Sequence, residues 1–158
     1  MKFKILVLAL VGLIMSNCGT SDKKDENSSQ PIEETNTVSD DLMQDKGVGP
    51  IKSITLGEID LAMVEKGKVI FNAKCTACHK IGKRYIGPDQ TGVTERQSPE
   101  WIMNMILNPE RMVAENPTAK KLLAEYTAPM ANQNLTEEEA RMVLEYFRTL
   151  KKEETPKE

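Results

Sequence analysis

Cys75-Thr76-Ala77-Cys78-His79 is the stretch on which the reading of this chain turns. Two thiols three positions apart can each add to one of two neighbouring vinyl groups of a single porphyrin. The histidine that follows is then held beneath the iron as a ligand, so the five residues form a c-type haem attachment signal. A bare Cys-x-x-Cys pair would suit a thioredoxin-like redox site equally well. The adjoining His79, the absence of a βαβ pattern and the exported character argued below set that alternative aside. A tetrahedral zinc site needs four ligands. The chain holds three cysteines and one histidine, and the third cysteine, Cys18, has another use.

Because His79 is the sole histidine, a haem with two histidine ligands is impossible within one chain. Methionine is the next candidate for the opposite side of the iron. Met130 lies in the irregular stretch Thr127-Ala128-Pro129-Met130-Ala131-Asn132 between two expected helices. Pro129 stiffens that loop, and the small alanines allow close approach to a flat macrocycle. Met130 is therefore the expected ligand, with Met112 and Met103 as alternatives and a vacant or exogenously filled site as a further one. Met63 and Met142 read as helix-face packing residues.

The N-terminus reads as a secretory signal over 1–17. Lys2 and Lys4 precede an apolar run from Ile5 to Met15, about eleven residues and short of the ~20 that span a bilayer as a helix. It ends in Met15-Ser16-Asn17-Cys18, which resembles a bacterial lipobox and makes Cys18 the expected lipidation site, although Asn17 departs from the usual small residue. Residues 18–50 carry three basic and eight acidic residues and little apolar material, the mark of a flexible tether with a root-mean-square span of roughly 30–35 Å. The acidic cluster just after Cys18 could alternatively be a sorting signal. The expected domain occupies 51–152, with fifteen basic and thirteen acidic residues, and 153–158 is a disordered tail. The acidic net charge of −3 thus belongs to the extensions, and the folded part is mildly basic.

The chain of 158 residues has room for one ordinary domain. Aromatic residues make up only 4% of it, too few for an ordinary core, so a cofactor is expected to supply apolar bulk. Punctuation within 51–152 predicts helices and no strands. Leu56 to Lys74 places Ile59, Met63, Gly67, Ile70 and Phe71 along one face. Ser98-Pro99 opens a second helix that Asn108-Pro109 closes. Asn116-Pro117 opens a third, running to about Tyr126. Thr136 with Glu139 forms a capping box for a last helix to about Lys151, with Ala140, Val143, Leu144, Phe147 and Leu150 on its apolar side.

From about 57 to 150 the chain resembles a class I mono-haem cytochrome c, a small all-α domain of about four helices around one covalent haem. The resemblance rests on Gly67-Lys68-Val69-Ile70-Phe71, on Cys75, Cys78 and His79, and on Ile86-Gly87-Pro88-Asp89-Gln90-Thr91-Gly92-Val93. Met130 and the final Glu145-Tyr146-Phe147 complete it. It implies that the first and last helices cross, with Gly67 against the aromatic at Tyr146. It also implies that the Pro88 carbonyl accepts the His79 ring N–H, and that Arg96 and Trp101 lie near the haem propionates. A solvated surface for Arg96 and core packing for Trp101 are the plain alternatives.

A haem clasped by His79 and Met130 has no open position for substrate, so the expected activity is one-electron transfer and not enzymatic catalysis. The expected partners are redox proteins and, through the lipid, a bacterial membrane facing the periplasm, with neither nucleic acid nor a small-molecule substrate. Lys74, Lys80, Lys83 and Arg84 form a candidate basic rim for docking on an acidic partner surface. Residues 87–112 resemble lipoprotein cytochromes that accompany nitrous oxide reductase. The alternatives are a gas-binding or sensing haem protein with a displaceable ligand and a haem subunit of a larger respiratory complex.

Overall fold

The computed structural model describes residues 41–151. The expected signal segment, Cys18, the tether as far as residue 40 and the tail lie outside the described residues. Residues 41–44 are helical, and five further helices follow in order: α1 (Leu61–Lys74), α2 (Pro99–Leu107), α3 (Pro109–Glu115), α4 (Pro117–Tyr126) and α5 (Glu137–Arg148), with a 3-10 turn at Val93–Glu95 before α2. No strand occurs among the described residues. No helix among them is long and apolar enough to cross a membrane.

Of α1 to α5, all but α3 begin where a side chain takes up free amides of the first turn. Ser98 Oγ accepts from Trp101 N at 3.1 Å, and Asn116 Oδ1 accepts from Ala119 N at 2.9 Å. The expected capping box of α5 is complete, with Thr136 and Glu139 bonded reciprocally. The first helix starts five residues later than its apolar pattern suggests. Asp60 caps it, accepting from Ala62 N and Met63 N, and its buried stripe is Val64, Gly67 and Phe71, with Ile59 left outside. Between Asn108 and Asn116 a further short helix, α3, forms where the sequence suggested only a connection; Pro109 starts it at the first helical position.

α1 and α5 make the central contact. A Cβ at Gly67 would run into the carbonyl of Met142, so the two backbones touch with no side chain between them. The expected partner of Gly67 was Tyr146, but that ring sits one turn further on. There it packs on Phe71 with centroids 5.6 Å apart, and Phe147 meets Phe71 edge-on at the same distance. The remaining core of Ile102, Ile106, Leu144 and Val143 joins α2 to this crossing.

Residues 45–57 are not the free chain expected as far as Pro50. They form a strap along α2 and α5. Asn104, with no exposed surface, donates to Lys46 O and Ile51 O and accepts from Ile51 N. Gly47, at φ 69°, lies against Met112 and Trp101, where a Cβ would collide. Asp45 receives both Asn116 Nδ2 and the Thr118 hydroxyl. Polar composition gave this stretch the look of a linker, yet Asp45 and backbone groups of Lys46, Ile51 and Ile54 bond to the domain. Further along, Glu145 is fully buried between Arg141 and Arg148, which in turn donate to the carbonyls of Thr55 and Gly57.

The crossing yields a stability prediction. Gly67→Ala removes a helix-weakening glycine, worth about 1 kcal/mol in isolation, yet it forces the backbones apart. A net loss of about 2 kcal/mol is expected, the excess over that gain set by overpacking of about 3 kcal/mol. Thermal unfolding followed by circular dichroism should show a midpoint lower by on the order of 10 °C; an unchanged or raised midpoint would mean the helices are free to separate.

Candidate haem site

α1 ends at Cys75, whose N–H still donates to Phe71 O at 2.9 Å. The chain then folds back in one tight turn, with Cys78 N and His79 N both donating to Cys75 O, at 3.0 and 2.9 Å. That turn brings Cys75, Cys78 and His79 onto the wall of one cleft. Before haem attachment, burial and the neighbouring Cys78 push the Cys75 thiol up to about 11. Cys78 is the exposed member of the pair.

The loop after the motif holds the His79 ring. Gly87 N donates to Cys78 O at 2.8 Å and lies flat against the imidazole; a Cβ there would come within 2.6 Å of His79 Cε1. Glycine is required by close approach here. His79 Nδ1 is 3.0 Å from the Pro88 carbonyl oxygen. Asp89 secures the loop by accepting from Gly82 N and Thr91 N. Partial burial works against its charge, but those bonds and the nearby Arg96 guanidinium hold its carboxyl below the usual carboxylate range.

The cleft is walled by apolar side chains, including Phe71, Ile86, Val93, Ile102, Met105 and Met130. Its empty space is about 1290 Å³ with the open solvent at its mouth included. The polar groups in it are few, and one is an orphan: Gln97 is 8% exposed and its buried amide oxygen has no partner. Buried polar atoms normally find a partner, and a side-chain amide can present either end to a ligand. Two thiols at the head, one imidazole with its Nδ1 already at a carbonyl, a thioether and an apolar lining together fit a covalent porphyrin.

The structure sorts the other residues singled out from the sequence. Met130 lines the cleft, as does Met105, which was not foreseen. Met105 lies one turn beyond Trp101 on α2, so its helical spacing carried that signal. The alternatives to Met130 face elsewhere. Met103 is packed in the core, and the fully buried Met112 accepts from Val48 N through its sulfur at 3.0 Å. Trp101 lines the cleft, but its indole N–H goes to Asn116 Oδ1 at 3.2 Å, which commits the proton expected for a propionate. Arg96 is exposed at the cleft wall and donates to Thr91 O and Asp89 O. Of the expected basic rim, Lys74 and Lys83 are exposed. Arg84 instead pairs with Glu125 at 2.9 Å and stacks on Tyr126, and Lys80 donates to Thr76 O. Gln90, which is buried beside His79, was also unforeseen; nothing in its position relative to Pro88 marked it from the sequence.

Residues 64–151 match the cytochrome c family. Among solved structures, the chain is similar to cytochrome c from Rhodothermus marinus, with 46% identity and a TM-score of 0.63, over 65% of this chain and 89% of that one. It is 34% identical over 114 residues to photosystem II extrinsic protein V of Synechococcus sp. (strain JA-3-3Ab), covering 63% of this chain. It is also 38% identical over 45 residues to a cytochrome c-553-like protein of Synechocystis sp., covering 28% of this chain. These two matches span 60% and 43% of the respective relatives' lengths. With the paired thiols present at the head of an apolar cleft, the chain belongs to the cytochrome c family and carries covalently bound haem c.

Proposed function

We propose that this protein is a tethered one-electron relay whose iron is held by His79 on one side and Met130 on the other, and not an enzyme in its own right. Membership of the family supports haem-based electron transfer with redox protein partners; the ligand pair and the tether are our reading. The observation that carries it is the shared cleft wall of His79 and Met130, in a chain with a single histidine. Haem c supplies reversible one-electron exchange at its edge. His79 presents Nε2 because its Nδ1 proton is held by Pro88 O. Met130 supplies a soft thioether, which raises the potential relative to stronger donors. With both residues committed to the metal, the protein leaves no position for a substrate, and the apolar walls keep water from it.

The ligand assignment predicts a weak near-infrared sulfur-to-iron band in the oxidised protein. Met130→Ala should abolish that band and lower the reduction potential, whereas Met105→Leu and Met112→Leu should retain it. A wild-type protein without the band would favour the gas-binding reading instead.

Tethering is read from Lys2, Lys4, the apolar run and Cys18: the chain is exported and held by lipid on Cys18 at a bacterial membrane, facing the periplasm. One acyl chain alone anchors weakly, and stable attachment needs more than one signal. Cys18→Ser should move the protein from the detergent phase to the aqueous phase on phase partition. A variant that stays with detergent would rule the anchor out.

For the acceptor we propose a terminal reductase, with nitrous oxide reductase the candidate suggested by residues 87–112. Lys74 and Lys83 of the rim would meet an acidic surface on it, and such steering weakens as salt rises. Stopped-flow oxidation of the reduced protein by nitrous oxide reductase should therefore be fast at low ionic strength and slower at high. No oxidation removes that acceptor, and a rate indifferent to salt removes the basic docking surface.

A further inference from the structure

We propose that Gln90 is a positioning residue that raises the reduction potential by competing with His79 for the Pro88 carbonyl. The inference rests on the reading of His79 as iron ligand. Three atoms form a nearly equilateral triangle: His79 Nδ1 is 3.0 Å from Pro88 O, Gln90 Nε2 is 3.0 Å from the same oxygen, and the two nitrogens are 2.8 Å apart. Gln90 is 7% exposed, so water does not mediate among them.

The proton inventory of this triangle decides its arrangement. An imidazole that offers the Nε2 lone pair to a metal carries its proton on Nδ1. Gln90 could donate directly to Nδ1 only in the other tautomer, whose Nε2 is protonated and cannot bind iron. In the ligating tautomer Nδ1 is a donor, and the amide has two possible orientations. With its nitrogen toward the triangle, both donors point at one carbonyl oxygen, which has two lone pairs to receive them. With the amide turned over, two acceptor oxygens face each other across 3.0 Å and a single proton serves both. The first arrangement makes two hydrogen bonds, the second one shared bond. The nitrogen-inward arrangement is the one the buried site can satisfy.

A carbonyl shared between two donors binds each less strongly than it would bind one. His79 therefore keeps more hold on its Nδ1 proton and has less imidazolate character than a histidine with that oxygen to itself. A less electron-rich ligand stabilises the oxidised metal less, which sets the potential higher.

The test compares the full-length haem-loaded protein with Gln90→Leu and Gln90→Met, neither of which retains a donor and the second of which keeps the side-chain length. Freed of competition, Pro88 O binds Nδ1–H more strongly. Both variants should favour the oxidised state up to tenfold more than the wild type, a potential lower by as much as 59 mV for one electron. In the reduced protein the His79 Nδ1 proton resonance should move downfield. Simple loss of a polar group beside the haem acts in the opposite direction, because apolar surroundings disfavour the extra charge of ferric iron. An unchanged or raised potential in both variants, or a proton resonance that does not move, overturns the role of Gln90. A wild-type protein whose spectrum shows no ring-current-shifted His79 signals would instead overturn the ligand assignment itself.

Discussion

Everything in this fold is registered by the contact of two backbones at Gly67. Because no side chain intervenes between α1 and the Met142 carbonyl, the separation of the first and last helices is fixed by main chain, which does not adapt as side chains do. Phe71 then lies one turn along, locked between Tyr146 and Phe147, and Cys75 caps the same helix one turn beyond that. The attachment turn is thus placed by rigid helix from the crossing, and the cleft wall on α5, through Val143 and Phe147, is placed by the same contact. A small shift at Gly67 would displace both walls of the cleft together.

The second constraint is chemical. The cleft is apolar nearly throughout, so each polar group within it must have a partner or a purpose. His79 Nδ1, Gln90 and Pro88 O satisfy one another, and the indole N–H of Trp101 is taken by Asn116, itself anchored by Asp45. Gln97 alone keeps an unmatched oxygen. Low aromatic content, which makes the chain look poor in core material, is reconciled here: the side chains leave an apolar cleft headed by the paired thiols, which a covalent haem fills with its own apolar bulk.

How far this was legible in the sequence follows from the range of the interactions involved. Helix starts were readable because caps are local: Ser98, Asn116 and Thr136 each bond within their own first turn. The attachment turn was readable because its five residues are contiguous. What depends on distant pairing was not. Gln90 reads as an unremarkable loop residue until its neighbour His79 is seen, eleven positions away. Arg84 reads as a free cation until Glu125 is found 41 positions on. The strap reads as linker because its amides and carboxylates are polar, and polarity in sequence does not distinguish bonds to water from bonds to Asn104 and Asn116. Met103 and Met105, two residues apart, differ by a rotation of about 200° on the helix; Met103 was the expected alternative, yet it is Met105, one turn from Trp101 on the same face, that lines the cleft.

The strap also divides the surface of α2. Residues 45–54 bond to Glu100 and Asn104, which lie on one flank of α2, while Trp101, Ile102, Met105 and Ile106 on its other flank wall the cleft. Residues 45–54 are therefore held behind the cleft wall by bonds distributed over Asp45, Lys46, Ile51 and Ile54. On the cleft side of the domain Cys78, Ile81, Tyr85 and Ile86 are exposed. The buried Glu145 extends the same logic: by holding Arg141 and Arg148 on the carbonyls of Thr55 and Gly57, it secures the last stretch of strap before α1. Removing one partner from such a buried charge cluster costs about 3–5 kcal/mol, so the ion pairs that hold Arg141 and Arg148 against those carbonyls tie the strap to α5.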